Sequence, residues 1–560
     1  MRRILVTVTL LFGAALAFGQ DITGDWQGTL SANGMELRLV LHISKAADGS
    51  MHGTLDSIDQ NAMGMPISSI SLKDSKLSLV FTTLGANYEG TVASDGKSIS
   101  GTWKQGTNLA LDFKRATNPV KTEPKPAKPS DIDGAWLGTA DFGVVKLRVV
   151  FHIVNTEDGL VATMDSPDQG QKGLPTTSCT RDGAKLRIEA HSIGLVFEGR
   201  VAADLASIDG TLTQMGASHP LLLTRVKNEA ELAPKRPQNP VKPYPYREEE
   251  VSYDNKVESV TLAATLTIPE GKGPFPGVVL ITGSGPQDRD ESLMGHKPFL
   301  VLSDYLTRRG IAVLRADDRG TGKSTGIFAD ATTADFATDT EAGIAYLKSR
   351  PEVDAHKIGL IGHSEGGVIA PMVAARNKDV AFIVMMAGTG VPGDQVLVAQ
   401  GEAIEMALGK SPEEAAKNAA KEKQILNLIE TERDQAALEK ELKEIEGGSR
   451  SADGWIKQAT SPWMRYFLTY DPQTALRKVT CPVLVINGSL DKQVLPSQNI
   501  PPIRRALEEV GNNRFEIDEL PGLNHLFQTA KTGAPTEYAQ IEETMSPLAL
   551  EKISSWILKQ

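Results

Sequence analysis

Cysteine is nearly absent. The chain carries only Cys179 and Cys481, 302 residues apart. Two thiols so distant make no disulfide framework, and neither has the paired CxxC spacing that holds a structural zinc. They are expected in different domains, unpaired. Positive charge is also scarce: 59 Lys and Arg against 70 Asp and Glu leave a formal charge of −11. No basic patch or stripe breaks that balance, which argues against a nucleic-acid partner. Long hydrophobic runs are lacking too, with one exception. Arg2 and Arg3 precede an apolar run over residues 4–18, and the small residues Ala17 and Gly19 close it. This pattern reads as a signal peptide over residues 1–19, cleaved to leave Gln20 or Asp21 first. The run is shorter than the roughly 20 residues a spanning helix needs. Export to the periplasm or the exterior is therefore expected, with no stable membrane insertion after cleavage. No cysteine follows the run to carry a lipid.

At 560 residues, 40% apolar and 23% charged, the chain is ordinary globular material and too long for one core. Its first part contains a duplication. "GDWQGTL" around Trp26 matches "GAWLGTA" around Trp136, and "LRLVLHI" matches "LRVVFHI", both at an offset of 110. "DSIDQ" matches "DSPDQ" and "YEGTVASDGKSISGTW" matches "FEGRVAADLASIDGTL", both at 109. So many ordered blocks mark two homologous modules, over residues 21–116 and 132–227. Alternating apolar and polar residues with "SDGK"-type turns predict short strands. Each module is expected to be a lipocalin-like barrel or a sandwich, with its tryptophan filling the core. Pro- and Lys-rich linkers, 117–131 and 228–246, read as extended spacers rather than folded segments.

From about residue 247 the pattern changes. "FPGVVLITG", "GIAVLRAD", "KIGLIGHS", "FIVMMAG" and "CPVLVING" are nearly continuous apolar runs, as in strands buried on both faces of a parallel sheet. Helical segments alternate with them, so a doubly wound, mostly parallel sheet is expected. One insertion, about 391–478, breaks the rhythm. It opens a helix with the capping box Ser411-Pro412-Glu413-Glu414, and a charged amphipathic run continues to Glu446. As a lid it would cover the C-terminal edge of the sheet.

Chemistry gathers at that edge. Ser364 sits in Gly-His-Ser-Glu-Gly between an apolar strand and a helix of small residues, the setting of a nucleophile elbow. A serine hydroxyl needs a base, and in this setting an acid and then a histidine follow. Asp491, in "NGSLDKQV" after a strand, is the expected acid, with Asp518 as the alternative. His525, in "LPGLNHLF" after the last strand, is the expected base. An oxyanion hole would use the backbone N–H of Glu365 and of Ser284, the latter in "ITGSGPQDRDE". Trp463, Tyr466 and Phe467 share helical spacing and are tentative pocket residues. "DDRGTGKST" is not a phosphate-binding loop, because Asp317 stands where the first glycine belongs. Asp318 and Arg319 are expected to pair as scaffold. No metal or cofactor is expected.

Together "GSGPQDRDE", "DDRGTGKSTG", "GHSEGG", "NGSLDKQV" and "LPGLNHLFQ" resemble bacterial exported α/β-hydrolases, called serine aminopeptidase-like or prolyl-oligopeptidase-like, which include carboxylesterases. The resemblance covers residues 247–560. It implies an α/β-hydrolase fold with a helical lid, a Ser-Asp-His triad without metal, and a small-molecule ester or a short peptide as substrate. It does not reach the duplicated modules, which lack the blade repeat of about 40–50 residues that a propeller would show. A carboxylesterase for short- to medium-chain acyl esters is the leading expectation. A serine aminopeptidase or amidase with the same triad, and a binding protein acting through the tandem modules, are the alternatives.

Overall fold

A computed structural model describes residues 22–560, apart from 33–34, 46–50, 61, 68, 74, 82–85, 106, 117–126, 143–145, 158, 170, 191–192, 215–216, 229–231, 233–234 and 447–458. The expected signal peptide and most of the first linker lie outside the described residues.

Each module is one nine-stranded antiparallel sheet. The first runs from Gly24–Ala32 to Thr107–Arg115 and the second from Gly134–Asp141 to Ala217–Arg225. In both, the first strand pairs with the last, and the two edge strands are consecutive in the chain. The sheet therefore curls round a single core into a half-barrel. A two-sheet sandwich is not formed. Alternation places Leu39, Leu41 and Ile43 inside the first module, and Val149, Phe151 and Ile153 inside the second.

The duplication extends to individual contacts. Trp26 and Trp136 are fully buried, and each indole donates to a carbonyl four residues earlier, Ile22 and Ile132. Arg115 lies 4.3 Å from the Trp26 ring centre and Arg225 lies 4.4 Å from that of Trp136. His42 meets Asp56 at 3.0 Å, and His152 meets Asp165 at 2.9 Å.

The second linker is more than a spacer. The Arg236 guanidinium donates to the carbonyls of Met294 at 2.8 Å, Ala539 at 2.9 Å and Ile541 at 3.2 Å. Gln238 bonds both ways with the backbone of Met545, and the Tyr246 hydroxyl donates to Asp304. Polar side chains thus fasten the segment to the C-terminal domain, which composition alone did not predict.

That domain has eight strands: β1 Arg247–Asn255, β2 Val260–Ile268, β3 Phe275–Ile281, β4 Ala312–Ala316, β5 Val353–His363, β6 Phe382–Met386, β7 Val483–Gly488 and β8 Phe515–Leu520. Their order in the sheet is β1-β2-β4-β3-β5-β6-β7-β8. All pairings are parallel except β1 with β2 and β2 with β4. The sheet is therefore mixed, with β2 antiparallel at one side. Two apolar layers cover it, one centred on Ile344, Ile369 and Ile503, the other on Phe299, Ile553 and Trp556.

Helices α1 Pro298–Thr307, α2 Thr333–Lys348 and α3 Gly366–Ala374 come first, and the insertion after β6 supplies α4 Gly393–Ala407, α5 Pro412–Thr431, α6 Gln435–Glu446 and α7 Pro462–Thr469. Ser411 caps α5 as expected, accepting from Glu414 N. The long amphipathic run is two helices rather than one, and α6 opens where Asp434 accepts from Ala437 N. Ile425, Leu426, Ile429, Leu438 and Leu442 give the insertion a core of its own. Among the described residues, no helix is long and apolar enough to cross a membrane.

Candidate active site

β5 runs straight into Ser364, and α3 Gly366–Ala374 starts two residues later. Ser364 has φ of 53°, a left-handed conformation costly for a residue with a side chain. Its N–H donates to Met386 O at 2.8 Å, and its carbonyl accepts from Gly367 N at 2.9 Å. The glycines on either side are obligatory. A Cβ on Gly362 would overlap the Gly366 carbonyl, and one on Gly366 would overlap the Ile281 carbonyl. Gly366→Ala should therefore destabilise the domain by about 1–3 kcal/mol, the usual cost of overpacking, and lower kcat by displacing Ser364. Unfolding and turnover measured side by side check this; a variant with wild-type values for both would contradict the packing.

Asp491 follows β7, and its side chain is wholly buried. One carboxylate oxygen accepts from Gln493 N and Val494 N at 2.8 and 2.9 Å. The other lies 2.9 Å from His525 Nδ1. This sets the imidazole tautomer, because Nδ1 donates to the carboxylate and Nε2 is left as an acceptor. Asp518, the alternative acid, pairs instead with Lys552. His525 itself sits in a loop tied by Asn524, whose side-chain oxygen Oδ1 accepts from Leu526 N and Gln528 N.

Ser364, His525, Ser284 and Glu365 all line one cavity of about 300 Å³. Among the described residues, no hydrogen bond yet joins Ser364 Oγ to His525, a looseness common before substrate binds. The insertion forms a wall, with Val396 and Leu397 from α4 and Trp463 and Phe467 from α7. The Trp463 and Phe467 rings stack at 5.2 Å. Tyr466 is not part of this wall. It stacks on Tyr470 and packs against the sheet's apolar layer, because it projects from another face of α7.

Three neighbours of Ser364 were not anticipated in these roles. His363 and Glu291 are both buried, and His363 Nδ1 lies 2.9 Å from Glu291 Oε1. His363 Nε2 donates to the His525 carbonyl at 3.0 Å. Burial alone would lower the His363 pKa. The charge and hydrogen bond of Glu291, with the His525 carbonyl, reverse this and raise it. The same Glu291 oxygen accepts from Gly283 N at 2.8 Å, so one carboxylate holds both the loop carrying Ser284 and the residue preceding Ser364.

The third is the side chain of Glu365. It accepts from the Thr333 hydroxyl at 2.7 Å and from Trp463 Nε1 at 2.8 Å. Burial raises its pKa. Asp318 does not pair with Arg319, which binds Asp339 instead. Asp318 accepts from Thr282 Oγ1 and Gln287 N, and burial pushes its carboxyl up to about 8. Both free cysteines lie elsewhere, one in each expected domain. Among the described residues, no cluster of three or more His, Cys, Asp or Glu is placed to hold a metal.

Known proteins match this half of the chain. Residues 258–511 match the family described as X-Pro dipeptidyl-peptidase (S15). Esterase EstD of Thermotoga maritima is 27% identical over 312 residues, 55% of this chain and 68% of its own. The chain is a serine hydrolase. Acyl-coenzyme A thioesterase 1 of Mus musculus shares 30% with the hydrolase over 128 residues, 22% of this chain and 27% of its own. Among solved structures, ferulic-acid-bound Est1E of Butyrivibrio proteoclasticus is 20% identical to it with a TM-score of 0.34, over 55% of this chain and 98% of the other.

Proposed function

We propose that this serine hydrolase is a carboxylesterase in which Ser364 is the nucleophile, His525 the base and Asp491 its orienting acid. One observation carries the reading. Ser364, held at positive φ beyond β5, opens onto the same cavity as a histidine locked by a buried carboxylate. Ser364 Oγ attacks the acyl carbonyl while His525 Nε2 takes its proton. The Glu365 and Ser284 N–H groups receive the oxyanion. His525 then protonates the departing alcohol, and water activated by His525 releases the acid from Ser364. The apolar wall of α4 and α7 takes a short or medium acyl chain.

The match to a dipeptidyl-peptidase family favours a second reading, amide cleavage next to a free substrate amine. Such an amine needs a carboxylate partner, but among the described residues both carboxylates lining the cavity are engaged. Glu291 is bound by His363 and Gly283 N, and Glu365 by Thr333 and Trp463. Ester substrates therefore fit better. The reading extends to an exported enzyme, periplasmic or secreted, supported by the charged start and apolar run of residues 1–19.

A panel of p-nitrophenyl esters set beside aminoacyl p-nitroanilides tests this. Ester turnover should exceed anilide turnover and be greatest for short or medium acyl groups. Faster anilide cleavage would establish the peptidase reading instead. Preference for acyl chains beyond about twelve carbons, too long for a cavity of this size, would remove the chain-length assignment.

A further inference from the structure

The two half-barrels share a backbone plan but differ inside. In the first, Phe81 and Trp103 pack against each other at 5.1 Å within the core, beside Ala86. The 109-residue offset and the strand register place Ala190, Leu212 and Leu195 at the same three positions of the second. Two large aromatic side chains are thus replaced by an alanine and a leucine.

The second half-barrel holds a cavity of about 900 Å³. Leu147, Val149, Met164, Leu174, Leu195 and Leu212 line it, and among the described residues its polar lining side chains, Ser166, Gln171, Gln214 and Ser292, are all uncharged. Burying a charge there would be costly, so the wall selects a neutral, mostly apolar group. One side of the cavity is closed by Ser292, Met294 and Gly295 of the hydrolase domain together with Leu293. Leu293 also lines the cavity of Ser364. It is 38% exposed, an apolar side chain bordering both spaces. Its loop is fixed at both ends, by Glu291 on His363 and by Arg236 on the Met294 carbonyl.

We propose that the second half-barrel is a substrate subsite that receives the apolar alcohol portion of an ester whose carbonyl sits at Ser364. This rests on the carboxylesterase reading. The two halves of an ester diverge from the carbon under attack. With the acyl chain on the lid wall of Val396, Leu397, Trp463 and Phe467, the alcohol is directed to the opposite side, past Leu293. The favoured substrates are therefore short-chain acids esterified to large, neutral, apolar alcohols.

The test copies the first module into the second. A full-length triple variant, Ala190→Phe with Leu195→Ala and Leu212→Trp, recreates the filled core on the same backbone plan. Leu212→Trp alone is the fallback if the triple variant misfolds by circular dichroism. Two readouts are taken. First, the neutral fluorophore N-phenyl-1-naphthylamine is titrated into Ser364→Ala protein, with and without the filling substitutions. Saturable binding displaced by decanol and weakened at least tenfold by filling is expected. No binding, or equal binding to the filled protein, overturns the subsite whatever the enzyme cleaves. Second, kcat/KM is compared for decyl butyrate and ethyl butyrate. Filling should lower the decyl-to-ethyl ratio at least tenfold. An unchanged ratio removes the barrel from catalysis. Fluorophore binding does not require turnover, so a failure of the esterase reading shows as absent ester cleavage with the fluorophore result intact.

Discussion

Ser364→Ala should abolish labelling by a fluorophosphonate probe and lower kcat/KM for p-nitrophenyl butyrate by about 10⁶-fold, the scale of losing a serine nucleophile outright. The fold should be unaffected, because the Ser364 contacts within the elbow are made by its backbone. His525→Ala should fall about as far, since the two groups act as one unit. Asp491→Asn should cost about 10⁴-fold, as expected when a triad histidine is held in the wrong tautomer. The structure explains the route: Asp491 fixes the ring through Nδ1 at 2.9 Å while two backbone N–H groups fix Asp491. Wild-type protein that takes up no label would end the triad assignment. So would a Ser364→Ala protein that still labels.

Glu291→Leu should be the most damaging substitution outside the triad. His363 is buried against this carboxylate, and removing one partner of a buried pair costs about 3–5 kcal/mol. The loss should appear in the unfolding transition of the catalytic domain and also in kcat, because Gly283 N is released next to Ser284. Glu291→Gln keeps an acceptor for Gly283 N and should be milder. The pH dependence has a definite sign. The folded pKa of His363 is raised, so its stabilising contribution is complete below the unfolded value of about 6.5. It is lost as pH rises through the raised value. The wild-type domain should lose stability on the alkaline side, and Glu291→Leu should flatten that slope. Urea unfolding at pH 6 and pH 9 reads it, and an equally steep alkaline loss in the variant would contradict the pairing.

What was legible in the sequence follows from how local each cause is. The strand-turn-helix around Ser364 can be read from a short segment, because two glycines must be small for the chain to turn there. Asp491 is marked by β7, the distinct apolar run it follows, and His525 by its place after β8, which mixes Phe515, Ile517 and Leu520 with acidic residues. The duplication could be read because its strands, turns and tryptophans recur in order at an almost constant offset. Glu291 left no such trace: its partner His363 is 72 residues away, and nothing in "DRDES" marks one acidic residue above its neighbours. Helical spacing grouped Trp463, Tyr466 and Phe467, but i to i+4 stacking separates Trp463 with Phe467 from Tyr466 with Tyr470. Which pair meets the cavity depends on how α7 docks. The linker failed differently, because proline and lysine content reports stiffness and exposure, not a single arginine reaching three distant carbonyls.

That arginine also bears on where this enzyme begins. Residues 247–560 carry the proposed triad, the helical insertion and the whole eight-stranded sheet, and look like a detachable unit. Arg236 lies outside that boundary, yet it braces the turn through which Leu293 walls the catalytic chamber. Severing the chain at Arg247 would spare every member of the proposed triad and still remove a strut from the room onto which Ser364 opens.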